Sequence, residues 1–203
     1  VSTQSTGKLS EFIDQPSNFL NNFFNFSTQN IIEISQNIQS FFKVQDSFIH
    51  PSAKIHQSVV LEPPYYIDED VEIKPHAYIR PYTIIGKNCI IGHSCEVKQS
   101  ILVANVQLGH LNYVGDSILG NGCHLGGGAI ISNYKISENK KIKIKYQNSA
   151  IETDVIKFGA VIGDNSWVGC NSVVNPGSLI GKNAKILSLK SFTGYLADDE
   201  WFQ

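Results

Sequence analysis

The sequence predicts an all-β protein, a parallel β-helix of hexapeptide repeats with an N-terminal helical segment. Three observations carry the prediction. Aliphatic residues recur every six positions: Ile49, Ile55, Leu61, Ile67, Ile73, Ile79, Ile85, Ile91, Val97 and Val103, then after one-residue slips Leu108 and Val114, and Leu119, Leu125 and Ile131. A further run is Ile162, Val168, Val174, Ile180 and Ile186. Many of these aliphatics are followed directly by glycine, as at Gly86, Gly92, Gly126 and Gly169. Four positions after the aliphatic the side chain is small, as at Ala77, Cys89, Cys95, Cys123, Ser166 and Ala184. A period of six fits neither a helix nor an isolated strand. It fits a triangular coil in which each hexapeptide forms one flat side, the aliphatic fills the interior and the small residue fits the corner.

Residues 1–48 precede the repeat and hold eight of the eleven Phe. Ile31, Ile34, Ile38 and Phe42 share one face of an amphipathic helix. Phe19, Leu20, Phe23 and Phe24, opened near Pro16, suggest another. Such helices pack on the β-helix or on a neighbouring subunit; a hydrophobic ligand pocket is the alternative. The repeat region spans 49–190. Within it, residues 134–160 form an excursion whose alternating Lys and Ile read as a strand. Its six Lys against three acids suit either a solvated hairpin or an anion-contacting loop. Residues 191–203 depart from the six-residue count and read as a C-terminal tail.

The net charge of -2 and the pI of 6.3 predict no broad nucleic-acid or membrane footprint. Cys89, Cys95, Cys123 and Cys170 form no C-x-x-C pair and no zinc-ligand spacing, so no metal is expected. The first residues lack the pattern of a signal peptide, no apolar run is long enough to span a membrane, and a cytoplasmic protein is expected.

Outward polar residues of a β-helix carry no packing duty and are free to carry function. Stacked coils lie about 4.8 Å apart. Arg80 and Lys98 are 18 residues apart and therefore stack. Two adjacent cations repel unless an anion lies beside them, which points to a phosphate site. Twelve residues after Lys98 stands His110, whose ordinary pKa suits a general base. The amides around Gly126–Gly128 are candidates to hold an oxyanion.

The stretches "IRPYTIIG", "CEVKQS", "GHLNYVGD" and "GNGCHLGGGAIISNY" resemble the acetyltransferase half of the bacterial N-acetylglucosamine-1-phosphate uridyltransferase/glucosamine-1-phosphate N-acetyltransferase, over about residues 49–190. The excursion and "FGAVIGDNSWVGCNSVVNPGSLIG" resemble the β-helix of sugar-1-phosphate nucleotidylyltransferases. The resemblance implies a left-handed coil and a homotrimer with sites between neighbouring β-helices. It implies that Arg80 and Lys98 clamp the sugar phosphate, Tyr113 contacts the same substrate and Glu96 lies near its hydroxyls or the base. His110 would take a proton from the attacking 2-amine. Asn133 and Tyr134 would stand at the junction of sugar and acetyl-CoA, and Lys140 would match a substrate lysine with a one-residue offset. His124 stands where the family has a sugar-contacting Asn, and Cys170 where a Ser contacts the cofactor.

The resulting expectation is an N-acetyltransferase that moves acetyl from acetyl-CoA to glucosamine 1-phosphate in UDP-N-acetylglucosamine biosynthesis. The uridyltransferase half has no counterpart in the sequence. Two alternatives stand beside it: an acyltransferase for another amino-sugar phosphate, motivated by His124, and a non-catalytic β-helix that partners a separate nucleotidyltransferase.

Overall fold

A computed structural model of the chain describes residues 8–14, 31–137, 141–147 and 149–203. Three parallel sheets of eight, eight and seven strands stack as coils around one core. The first face holds Phe48–Ile49, Tyr65–Ile67, Thr83–Ile85, Ile101–Leu102, Ile118–Leu119, Ala160–Ile162, Ser178–Ile180 and Tyr195–Leu196. The second holds Lys54–Ile55, Glu72–Ile73, Ile90–His93, Gln107–His110, His124–Leu125, Trp167–Val168, Lys185–Ile186 and Trp201–Phe202. The third holds Val60–Leu61, Tyr78–Ile79, Glu96–Lys98, Tyr113–Gly115, Ile130–Ile131, Val173–Val174 and Ser191–Phe192.

The interior is the predicted aliphatic column. From Ile67 to Ile186 every residue of that column lies buried in one cluster, with the exception of Val103. Cys89, Cys95 and Cys123 fill small slots in the same cluster. Burial pushes the Cys89 thiol up to about 12 and raises those of Cys95 and Cys123, so all three stay protonated and inert. The glycine rule has a steric cause: a Cβ on Gly92 would stand 1.6 Å from the carbonyl oxygen of Gly109 in the next coil.

Corners are made by single residues in the left-handed region. Before each strand of the second face from Glu72–Ile73 onward that residue is Asp70, Asn88, Asn105, Gly122, Asn165, Asn183 or Asp199, types that tolerate positive φ. Between the third and first faces the corresponding residues are Tyr82, Gln99 and Asp116. Here the coil shortens. Ile84 pairs with Ile101, and Ile101 with Ile118, each 17 residues on. The first slip therefore falls between Val97 and Leu102, one step earlier than the sequence count placed it. Leu102 takes the interior position, and Val103 turns outward under the N-terminal segment.

The first face is apolar on both sides. Its outward residues Ile84, Ile101, Ile118, Val161 and Leu179 are buried by Ile31, Ile38 and Phe41 of the helix Ile31–Phe41, by Leu9, Phe12 and Ile13, and by Ile142, Ile144 and Tyr146 of the excursion. Through these described side chains the helix packs on its own β-helix. The helix expected around Phe19–Phe24 and the side chain of Ile34 lie outside the described residues. The excursion contains the expected alternating strand, Lys143–Tyr146, paired antiparallel with Ser149–Glu152.

Residues 191–203 are not a tail. Ser191–Phe192, Tyr195–Leu196 and Trp201–Phe202 complete a last coil on all three faces. Phe192, Leu196 and Phe202 continue the interior column. The count failed because this coil is short by two residues, Leu179 pairing with Tyr195, with the turn made at Gly194, φ 112°.

Candidate active site

All three shortened turns lie at the corner between the third and first faces, and the excursion leaves and re-enters there. Arg80, Lys98 and Tyr113 come from three successive coils, Asn133 and Tyr134 from the exit of the excursion, and Ile156 and Lys157 from its return. Together they line a cavity of about 480 Å³. Five of the residues read from the sequence therefore meet in one place.

The electrostatics differ from the sequence argument. Arg80 Nη1 donates to Glu96 Oε1 at 2.8 Å, and this bond holds the guanidinium pKa above its ordinary value. Lys98 Nζ donates to both carboxylate oxygens of Asp116, at 3.1 and 3.0 Å. Asp116 is only 2% exposed and also accepts a hydrogen bond from Asn133 Nδ2. Each stacked cation thus has a carboxylate of its own, and their juxtaposition requires no external anion. Glu96, expected near the sugar hydroxyls or the base, is the partner of Arg80. The Arg80 Nε is buried without an acceptor among the described residues.

Tyr113 and Asn133 bring their side-chain ends to the same spot over Gly115. Burial raises the Tyr113 phenol pKa, with the charges of Asp116 and Glu96 acting in the same direction, so the group is a neutral hydrogen-bonding hydroxyl. Gly115 makes this contact possible. A Cβ there would stand 2.6 Å from Tyr113 Oη and 2.7 Å from Asn133 Nδ2.

His110 lies at the other edge of the same face. It ends the strand Gln107–His110, is exposed, and precedes Leu111 at φ 55°. It does not line the cavity. In its column His93 stands beneath it in the preceding coil, while the residues of the following coils, Gly127 and Cys170, are small. Gly128 N–H donates to the His110 carbonyl at 2.8 Å, and a Cβ on Gly127 would meet only that carbonyl, at 3.8 Å. Cys170 is exposed on this edge, beside Gly126, and its amide donates to Ser188 Oγ at 3.1 Å. Of the amides considered for an oxyanion, those of Gly126 and Gly128 are committed to Val168 and His110.

His124 is on the second face, away from the cavity. Its ring packs on Trp167 with centroids 4.6 Å apart, and burial lowers its pKa. Lys140 lies outside the described residues. Two cavity residues were not read from the sequence, Ile156 and Lys157, and neither was the buried Asp116. Asp116 was within reach of the argument that paired Arg80 with Lys98, since it follows Lys98 by the same 18 residues. Among the described residues, no helix is long and apolar enough to cross a membrane.

Comparison with known proteins agrees with this architecture. The family described as the GMPPB C-terminal domain matches residues 61–155, and the bacterial transferase hexapeptide (six repeats) matches residues 159–188. The "Bifunctional protein GlmU" of Methanocaldococcus jannaschii is 37% identical over 91 residues, 45% of this chain and 22% of that protein. The "Bifunctional sugar-1-phosphate nucleotidylyltransferase/acetyltransferase" of Sulfurisphaera tokodaii is 36% identical over the same shares. The matched region thus spans about a fifth of these relatives. Among solved structures, the acetyltransferase domain of PglB from Neisseria gonorrhoeae, in complex with acetyl coenzyme A, matches with a TM-score of 0.33 and 12% identity, over 82% of this chain and 58% of that one. The chain carries the hexapeptide repeat of bacterial transferases and is similar to the GMPPB C-terminal domain, to GlmU and to sugar-1-phosphate nucleotidylyltransferase/acetyltransferases.

Proposed function

We propose that the chain is an acetyl-CoA-dependent N-acetyltransferase of amino-sugar phosphates, with glucosamine 1-phosphate as substrate, in UDP-N-acetylglucosamine biosynthesis. One observation carries the reading: Arg80, Lys98, Tyr113, Asn133 and Tyr134, from separate stretches of sequence, line one cavity. The names of the relatives, bifunctional GlmU and nucleotidylyltransferase/acetyltransferase, support it.

In this reading the phosphate lies at the Arg80–Lys98 corner and the sugar extends over Tyr113 toward the His110 edge. His110 removes a proton from the 2-amine as its nitrogen attacks the acetyl carbonyl. The new C–N bond forms, the C–S bond breaks, and the coenzyme A thiolate leaves and takes up a proton. The edge of Gly109, Gly126, Gly127 and Cys170 fits an extended thioester arm, because small side chains leave its backbone open. The chain acts in this scheme as a cytoplasmic homotrimer. Trp167, Trp201, Leu111 and Leu189, each more than half exposed on the second face or its edge, offer a second copy a surface beside His110.

Release of free thiol on mixing the protein with acetyl-CoA and glucosamine 1-phosphate tests the reaction. No thiol release with this or other amino-sugar phosphates, together with no acetyl-CoA binding by calorimetry, favours the second reading, a non-catalytic β-helix that partners a nucleotidylyltransferase. The S. tokodaii relative, which names both activities and is matched over 22% of its length, is what supports that reading.

A further inference from the structure

Among the described residues the charges lining the cavity cancel in pairs until one remains. Arg80 is neutralised by Glu96 at 2.8 Å and Lys98 by Asp116 at 3.0 Å. With those four groups alone the cavity has no net charge, and so no electrostatic preference for a phosphorylated sugar over the free one. The fifth charged group at its wall is Lys157, exposed on the returning limb of the excursion. Among the described residues no carboxylate lies within ion-pairing distance of it, whereas Lys141 and Lys143 of the same excursion are paired with Asp154 and Glu152. Lys157 sits beside Phe158 and Gly159, which anchor the limb. Phe158 is fully buried, and its N–H donates to the Asn133 carbonyl at 3.1 Å; Gly159 N–H donates to the Asp116 carbonyl at 2.9 Å. The backbone carrying the lysine is therefore fastened to the two residues that also position Lys98.

We infer that Lys157 is the residue that makes the cavity select a phosphate monoester: it supplies the uncompensated cation, while Arg80 and Lys98 supply directed N–H donors whose charge is already balanced. This rests on the proposed sugar-phosphate site and assigns its specificity to the excursion. The excursion is thus a specificity loop, and the hairpin within it packs Ile142, Ile144 and Tyr146 against the first face to hold its return limb at the cavity. An amino sugar without a phosphate would gain nothing from Lys157.

Calorimetric titration of the whole chain with glucosamine 1-phosphate, and separately with glucosamine, tests this. Lys157→Ala weakens the phosphorylated sugar about tenfold, equivalent to about 1.4 kcal/mol, and leaves glucosamine unchanged. Lys157→Glu weakens it further, and Lys157→Arg restores it. Raising the ionic strength narrows the gap between wild type and Lys157→Ala, because a partly exposed charge is screened. Unchanged circular dichroism and melting temperature separate a binding loss from a folding loss. Equal affinity of wild type and Lys157→Ala for glucosamine 1-phosphate overturns the inference and leaves the site intact. If wild type binds no glucosamine 1-phosphate at all, the functional reading itself falls, and this inference with it.

Discussion

The two edges of the third face are built on opposite principles. At the edge shared with the first face the coil is short, the side chains are charged and interlocked, and the key carboxylate is buried: Asp116 bridges Lys98 and Asn133. At the edge shared with the second face the backbone is lined by glycine, and His110 stands exposed. A rigid, ion-paired corner suits recognition, since its donors are held in place before any ligand arrives. An open, small-residue edge suits chemistry, since a thioester must approach the backbone closely and leave again. On the third face between them Tyr113 stands in an outward column with Glu96 and Ile130 and lines the cavity at the recognition edge.

The sharpest way to break the comparison is to remove the chemical edge alone. His110→Ala should lower kcat by about 10²–10⁴ and leave both KM values within a few-fold, as expected for loss of a general base. The fold should survive, because His110 is exposed and outside the core cluster. Steady-state kinetics at saturating acetyl-CoA decide it. A variant with near-normal kcat removes His110 from the mechanism and leaves this edge without its chemical role.

Asp116→Ala attacks the recognition edge through its buried centre. It leaves Lys98, 17% exposed, without its carboxylate, and Asn133 without an acceptor. Breaking such a pair from one side costs about 3 kcal/mol, so the melting temperature should fall by roughly 6–12 °C for a domain of this size. The KM for sugar phosphate should rise while that for acetyl-CoA holds. A variant that melts like wild type shows that the corner is not held by this ion pair.

Gly115→Ala is milder and tests the join between the edges. The added methyl must displace the Tyr113 hydroxyl or the Asn133 amide, both within 2.7 Å of it. Both are ends of movable side chains, so the cost to stability is about 1 kcal/mol. The expected signature is a raised KM for the sugar with kcat little changed, from the same kinetics. An unchanged KM separates Tyr113 and Asn133 from the substrate.

The contrast also marks what could be read in the sequence. The interior column was legible because packing repeats it every six residues. The paired aliphatics Ile84–Ile85, Ile101–Leu102, Ile118–Leu119 and Leu179–Ile180 carry a second signal that the six-residue count passed over, since a strand covered on both sides has consecutive apolar residues. They identify the face on which the N-terminal helix lies. The last coil escaped because two residues are lost at its Gly194 corner and its fillers are Phe192 and Phe202. At the recognition corner, spacing gave the stack of Arg80 and Lys98 but not their partners. The same interval extends to Asp116, but Glu96 follows Arg80 by 16 residues, and only the folded register shows that it reaches that cation. Lys157 was hidden for a different reason: no repeat governs where an excursion returns.

The smallest predicted effect concerns His124, which the sequence placed at the sugar and the fold places on the second face. Its ring lies against Trp167, and burial disfavours the imidazolium, so its folded pKa is below the unfolded value of about 6.5. As pH falls below about 6.5 the unfolded chain takes up this proton before the folded chain does. Stability is therefore lost as the pH drops toward the folded pKa and levels off below it. His124→Gln removes this contribution. Melting temperatures of wild type and variant at pH 7.5 and pH 5 should show the larger acid loss in wild type, by roughly 1–2 °C. Carboxylates titrate over the same range, but they do so in both proteins and cancel in the difference. The KM for glucosamine 1-phosphate should stay within about twofold, since no cavity wall is altered. A large rise in KM would instead return His124 to the substrate site, and would mean that a second copy brings its second face against the cavity.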